Sequence, residues 1–318
     1  MRLTHRLLVL GWAWAMLGLA PGAGALAEDR DYASQLASLA SELEALSGNA
    51  ELARAWRAER TRVRRDPTGA RVALARELDA QGLVLRRVPG LLYRRYPETG
   101  ADLGALADWL GVPVRLVATD ELGTVEANAA VVAAQLRADE GARRSVVFSA
   151  SKVSAEVRSA LESDPALGKQ VPIWIDLVGV LEGTPLLDRS SGLAEETAWL
   201  PAAVAQSLSA EVRREAIPPS GFPAETRAVH VAAFPKPSDV SERARRSFAW
   251  LRGLGPNDGY VLLDAYLRAP GRVLIEHGVD HYLAGASELD EKLLALLCVL
   301  VAELASTPRG VLDEVHPR

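Results

Sequence analysis

Three short stretches hold residues whose types could act together on a carbonyl group. A β-prone apolar run ends in Ser149-Ala150-Ser151-Lys152-Val153-Ser154 and passes straight into the helical stretch AEVRSALES. A serine on a sharp strand-to-helix turn presents its Oγ outward and leaves the next amide N–H free, which suits a nucleophile and an oxyanion donor. Glycines usually flank such a serine. Here Ser149 and Val153 occupy those places, and the β-branched Val153 would be expected to crowd the turn. A serine in this position also serves as a plain helix cap. Further along, Gly255-Pro256-Asn257-Asp258-Gly259 offers a carboxylate, and Glu276-His277-Gly278-Val279-Asp280-His281-Tyr282 offers imidazoles. A free serine hydroxyl is a weak nucleophile; imidazole removes its proton, and a carboxylate fixes the imidazole tautomer.

These groups need a frame. From about residue 81, short β-prone runs alternate with helical ones, the signature of βαβ units and a doubly wound, mostly parallel sheet. Strands are expected at 83–88, 112–118, 145–149, 172–179, 227–234 and 272–276. Helix starts are expected at Thr99 with Asp102 and at Ser287 with Asp290. Ser151, Asp258 and His281 then each follow the C-terminal end of a strand. Two connections exceed simple crossovers, and long excursions of this kind are usually lids or binding loops. One covers 182–222, and 236–256 is the second candidate. Leu193, Trp199, Leu200 and Val204 give the first an apolar face, suited to an acyl chain or to docking on the core.

The order Ser, Asp, His and the three local patterns resemble the α/β-hydrolase superfamily, over roughly residues 83–305. The likeness is to secreted lipase- or esterase-like members with an S-x-S-K-G turn, an N-D-G acid loop and a D-H-Y/F terminal histidine. It implies a sheet of α/β-hydrolase type carrying a lid insertion. It also implies Ser151 as nucleophile, Asp258 as acid, His281 as base, and the backbone N–H groups of Lys152 and Leu91 as oxyanion donors. The substrate would be a small-molecule or lipid-like ester, and no cofactor is called for. Two positions have rivals. Asp239 lies in the same excursion as Asp258, and becomes the better acid if 238–253 is itself the crossover helix. His277 lies nearer its strand end than His281. His277, Asp280 and His281 also form a candidate metal set, but Gly278 opposes the helix that their spacing would need, and no metal is expected.

Other residues carry blander readings. His230, inside an apolar strand, reads as a satisfied core histidine. Lys152, one of only four lysines, reads as a solvated lysine beside the turn. Asn128, in Thr124-Val-Glu-Ala-Asn128, matches a feature of the same superfamily or is simply a polar position on a helix.

Composition bounds the rest. Of 318 residues, 49% are hydrophobic and 24% charged, which excludes a disordered, collagenous or multi-span membrane chain. The net charge of −5 argues against a nucleic-acid partner. MRLTHR, the apolar stretch LLVLGWAWAMLGLA and Ala25-Leu26-Ala27 together read as a signal peptide over 1–27. The expected location is therefore periplasmic or secreted, after cleavage near Ala27. Residues 28–80 read as a helical N-terminal appendage and 81–318 as the α/β domain. Arg54, Arg57, Arg60, Arg62, Arg64 and Arg65 form either a solvated helix face or a contact with an envelope or membrane surface. The single cysteine, Cys298, lies in the apolar run 293–301 and reads as a buried, inert thiol. No GxGxxG, P-loop or CxxC pattern points to a nucleotide or a cluster. The expectation is a secreted or periplasmic serine esterase working through an acyl-enzyme. The alternative, motivated by Ser149 and Val153, is an inactive protein of the same fold that binds a ligand or an envelope partner.

Overall fold

A computed structural model of the chain describes residues 23–95, 103–138, 143–189, 191, 199–216, 221–283 and 288–306. In order come α1 (Ala23–Ala45), α2 (Asn49–Arg65), α3 (Pro67–Ala80), β1 (Leu83–Val88), α4 (Leu106–Leu110), β2 (Val114–Leu116) and α5 (Val125–Arg137). There follow β3 (Arg144–Ala150), α6 (Lys152–Ser163), β4 (Ile173–Leu177), α7 (Ala202–Leu208), α8 (Ala210–Ala216), β5 (Arg227–Phe234), α9 (Arg245–Leu251), β6 (Arg272–His277) and α10 (Leu289–Ser306).

The strands form one all-parallel sheet in the order β2-β1-β3-β4-β5-β6. Parallel neighbours require crossovers, and these place helices on both faces, which is why the central strands are apolar almost throughout. On one face α1, α5, α6 and α9 pack over Val147, Trp174, Ala228, Ala232 and Phe234. On the other, α2, α3, α4 and α10 pack over Val146, Phe148, Ile173, Ile175, Val229 and Val231. The doubly wound sheet expected from the alternating pattern is present.

Local departures have local causes. β2 is three residues long where seven were expected, because it is an edge strand with a single neighbour and largely solvent-facing side chains. The expected cap residues Thr99, Asp102 and Ser287 lie outside the described residues. α4 begins after Ala105 without a side-chain cap, whereas Thr124 caps α5 by accepting from Ala127 N–H at 3.3 Å.

The first three helices are built into both outer layers. Tyr32, Leu36, Leu39 and Leu43 of α1 join the first core. Leu52, Trp56 and Val63 of α2 join the second, and Trp56 Nε1 donates to the Lys292 carbonyl at 2.9 Å. Half of the arginine cluster is spent within the chain: Arg60 and Arg64 pair with Glu288 and Glu291, and Arg62 pairs with Glu59. Cys298 is half-buried beside that Arg62–Glu59 pair, and burial pushes its thiol up to about 12. Among the described residues no helix is long and apolar enough to cross a membrane.

Candidate active site

β3 delivers Ser151 to the turn that opens α6. Its backbone is strained, with φ 57° and ψ −128°, a conformation costing on the order of 1–3 kcal/mol that the surroundings must hold. They do so with hydrogen bonds: Ser151 N–H donates to Leu177 O at 3.0 Å, and Ser151 O accepts from Val180 N–H at 3.0 Å. The turn is thus sewn to the end of β4. Val153 does not crowd it, since its side chain turns into the core beside Val88 and Val157. Ser149 is fully buried, and its hydroxyl is engaged by Trp174 and Ser154.

Ser151 Oγ lies 2.9 Å from His281 Nε2, and His281 Nδ1 lies 2.9 Å from Asp258 Oδ2. Asp258 is sealed from solvent. Its Oδ1 accepts from Tyr260 and Val261 N–H, each at 2.8 Å, and its carbonyl accepts from His281 N–H at 2.8 Å. Asp258 and His281 are therefore fixed to each other by backbone as well as by side chain. Tyr260 stacks on the imidazole with centroids 4.8 Å apart, and Tyr282 meets it edge-on at 5.9 Å.

The rival residues are placed elsewhere. Asp239 caps its own 3-10 turn, accepting from Lys236 N–H at 3.0 Å. Asp258 reaches the C-terminal end of the sheet because α9 stays beside α1, with Phe248 against Tyr32, and the descent to β6 falls to the 3-10 turn Leu263–Leu267. His277 ends β6, exposed, with Phe234 edge-on to it at 6.0 Å. Asp280 accepts from Ser241 and Tyr282 N–H, while both His281 nitrogens face the serine and the acid, so the three do not converge as a metal set.

Lys152 opens α6, so its N–H has no partner within the helix. Leu91 follows β1, whose Val88 is the register partner of Ser149, and both amides belong to the same end of the sheet. The lysine side chain is a correction to the sequence reading. It is buried, and it pairs with Glu156, which also accepts from Asn128 Nδ2 at 2.9 Å. Burial pushes the Glu156 carboxyl up while Lys152 pulls it back down. Asn128 further binds Asp120, accepting from its N–H at 3.2 Å and donating to its carbonyl at 2.8 Å, and so ties α5 to the first turn of α6. Sequence reasoning also missed Tyr32, 225 positions from its partner. Its hydroxyl donates to Asn257 O and accepts from Asn257 N–H, both at 3.1 Å, and burial pushes the phenol up to about 12. The sequence signal for it is no more than a tyrosine within a stretch of helical apolar spacing.

The described residues of the excursion 182–222 lie against the same end of the sheet. Leu200 and Val204 are buried with Val125, Ala155, Val180 and Leu187, and the half-buried Leu91 and Tyr260 line that cluster's edge. Trp199 is exposed, and Leu193 lies outside the described residues. Arg213 fastens α8 to α5 and α6 through Glu126 at 3.0 Å and Ser159 at 3.1 Å.

No protein-family model matches the sequence, and no curated protein matches it either. Among solved structures, a metagenomic carboxyl esterase superimposes with a TM-score of 0.57 and 22% identity, over 71% of this chain and 77% of that one. A Bacillus licheniformis lipase in its mature form gives 0.54 and 19%, over 68% of this chain and 92% of that one. Six parallel strands in this order, a turn of this geometry after β3 and these likenesses lead to one conclusion: the chain has the α/β-hydrolase fold.

Proposed function

We propose that the protein is a serine hydrolase that cleaves carboxylic esters through an acyl-enzyme. One observation carries the reading: the unbroken hydrogen-bonded chain from Ser151 Oγ through His281 to Asp258. Ser151 Oγ attacks the carbonyl carbon while His281 Nε2 takes its proton, then passes that proton to the departing alcohol. Asp258 holds Nδ1–H and with it the tautomer that leaves Nε2 able to accept. The negative charge growing on the carbonyl oxygen is received by the N–H groups of Lys152 and Leu91, and one such donor is worth about 2.7–4 kcal/mol of barrier. Water, activated by His281, then releases the acid and restores Ser151.

The likeness to a carboxyl esterase and a lipase supports an ester over other acyl substrates. The leader-like residues 1–27 support a periplasmic or secreted location. The alternative of an inactive ligand- or envelope-binding protein drew on Ser149 and Val153, and with both turned into the interior it keeps no observation of its own. A fluorophosphonate probe tests the reading. It should label the wild type at Ser151 and leave Ser151→Ala untouched, and His281→Ala should abolish turnover of short p-nitrophenyl esters. Labelling that survives in Ser151→Ala would overturn the assignment.

A further inference from the structure

A second set of serine, aspartate and histidine lies inside the sheet. Ser149, Asp176 and His230 are register partners across β3, β4 and β5, on the face toward α6, and none of them reaches solvent. Chemistry fixes the direction of the indole, hydroxyl and carbonyl hydrogen bonds in the set. Indole N–H only donates, so Trp174 Nε1 gives to Ser149 Oγ at 2.8 Å. A carboxylate accepts, so Ser154 Oγ gives to Asp176 Oδ1, and the 2.9 Å contact between the two serines carries the Ser149 proton to Ser154. Asp176 Oδ2 faces His230 Nδ1 at 2.9 Å, and His230 Nε2–H gives to the Pro270 carbonyl at 2.7 Å. Every linked hydroxyl, ring nitrogen and carboxylate oxygen has a partner, the condition under which a buried polar network rigidifies its surroundings. The fit is close. Trp174 stands edge-on to the His230 ring at 5.2 Å, and a Cβ on Gly179 would lie 2.3 Å from Asp176 Oδ2.

The set meets the elbow at two points. Ser149 is two residues before Ser151 and Ser154 three after, so their mutual hydrogen bond closes a clasp across Ser151, which is held at positive φ. We propose that Ser149, Ser154, Asp176 and His230 are positioning residues that hold the Ser151 backbone in its strained conformation and so aim Oγ at His281. This deepens the serine hydrolase reading of Ser151 and rests on it. No proton leaves the clasp, because the outer nitrogen of His230 meets a carbonyl rather than a hydroxyl. It supplies by hydrogen bonding what the missing flanking glycines do not.

Steady-state kinetics on a p-nitrophenyl ester, paired with fluorophosphonate labelling rates, test the clasp at a temperature where each variant is folded by circular dichroism. Ser154→Ala should lower kcat on the order of 10–100-fold with KM unchanged, the usual scale for a misaimed reacting atom, and should slow labelling by the same factor. Asp176→Asn keeps an oxygen for Ser154 and offers an amide N–H to His230 Nδ1, so it should recover most of the kcat that Asp176→Ala loses. Ser149→Ala carries the same expectation as Ser154→Ala and replaces it if that variant fails to fold. Wild-type kcat in folded Ser154→Ala or Ser149→Ala, a loss confined to KM, or no recovery in Asp176→Asn would each overturn the clasp. A wild type that neither turns over ester nor takes the probe would instead overturn the hydrolase reading beneath it.

Discussion

Asp258–His281 and Asp176–His230 have the same separation, 2.9 Å from Nδ1 to a carboxylate oxygen, and both carboxylates are sealed from solvent. They differ at the far nitrogen. His281 Nε2 faces the Ser151 hydroxyl, which can give up a proton, whereas His230 Nε2 faces the Pro270 carbonyl, which has none to give. They differ also in setting: the first pair sits on loops beyond strand ends and the second within the sheet, locked at one rung on neighbouring strands. A carboxylate behind an imidazole is therefore not by itself a sign of reactivity. What the imidazole can reach, and how freely it can turn, decides.

The comparison can be broken most sharply at its acids. Asp258→Asn should cut ester turnover by about 10⁴-fold through the wrong histidine tautomer while the melting transition stays in place. Asp239→Asn should be neutral, and the reverse ranking would move the acid to the earlier loop. A smaller effect, on stability, is expected inside the sheet. His230→Phe strands the Asp176 carboxylate without its partner, a loss of about 3–5 kcal/mol in a denaturant melt. A change under 1 kcal/mol would mean that the inner pair contributes nothing as a unit.

The smallest effect concerns the support of the outer pair. Tyr32→Phe removes both hydrogen bonds to Asn257 and, at about 0.5–1.5 kcal/mol each, should cost about 1–3 kcal/mol, with a modest fall in kcat. Its pH dependence has a definite sign. The folded phenol ionises near 12, above its ordinary 10, so this stabilisation is complete below about 10 and fades as pH rises toward 12. The gap between wild type and Tyr32→Phe should narrow over that window and in no other.

Much of the frame could be read from the chain alone. All six strands have both ends within two residues of their expected bounds, because buried parallel strands write themselves as apolar runs between helical stretches. Chain order singled out Ser151, Asp258 and His281, which the fold brings within hydrogen-bonding distance. What stayed hidden depends on register and distance. His230 could be read as a core histidine, but Asp176 as its partner requires knowing that β4 and β5 align at that rung. Lys152 pointed toward solvent in the sequence reading because lysine usually does, and Glu156 one helical turn on drew it inward instead.

Segments far apart in sequence hold the candidate site together. Tyr32 braces the loop of Asp258, Asn49 accepts from Val273 N–H at 2.9 Å in β6, and Trp56 grips the first turn of α10. Each brace precedes the part that it braces by more than two hundred residues. Local helices can form during synthesis, but loop closure over more than two hundred residues waits for the strand at 272–277. The loop of Asp258 is therefore braced only once segments more than two hundred residues apart have met, so its hydrogen bonds form late and together with the last strand rather than with the local helices.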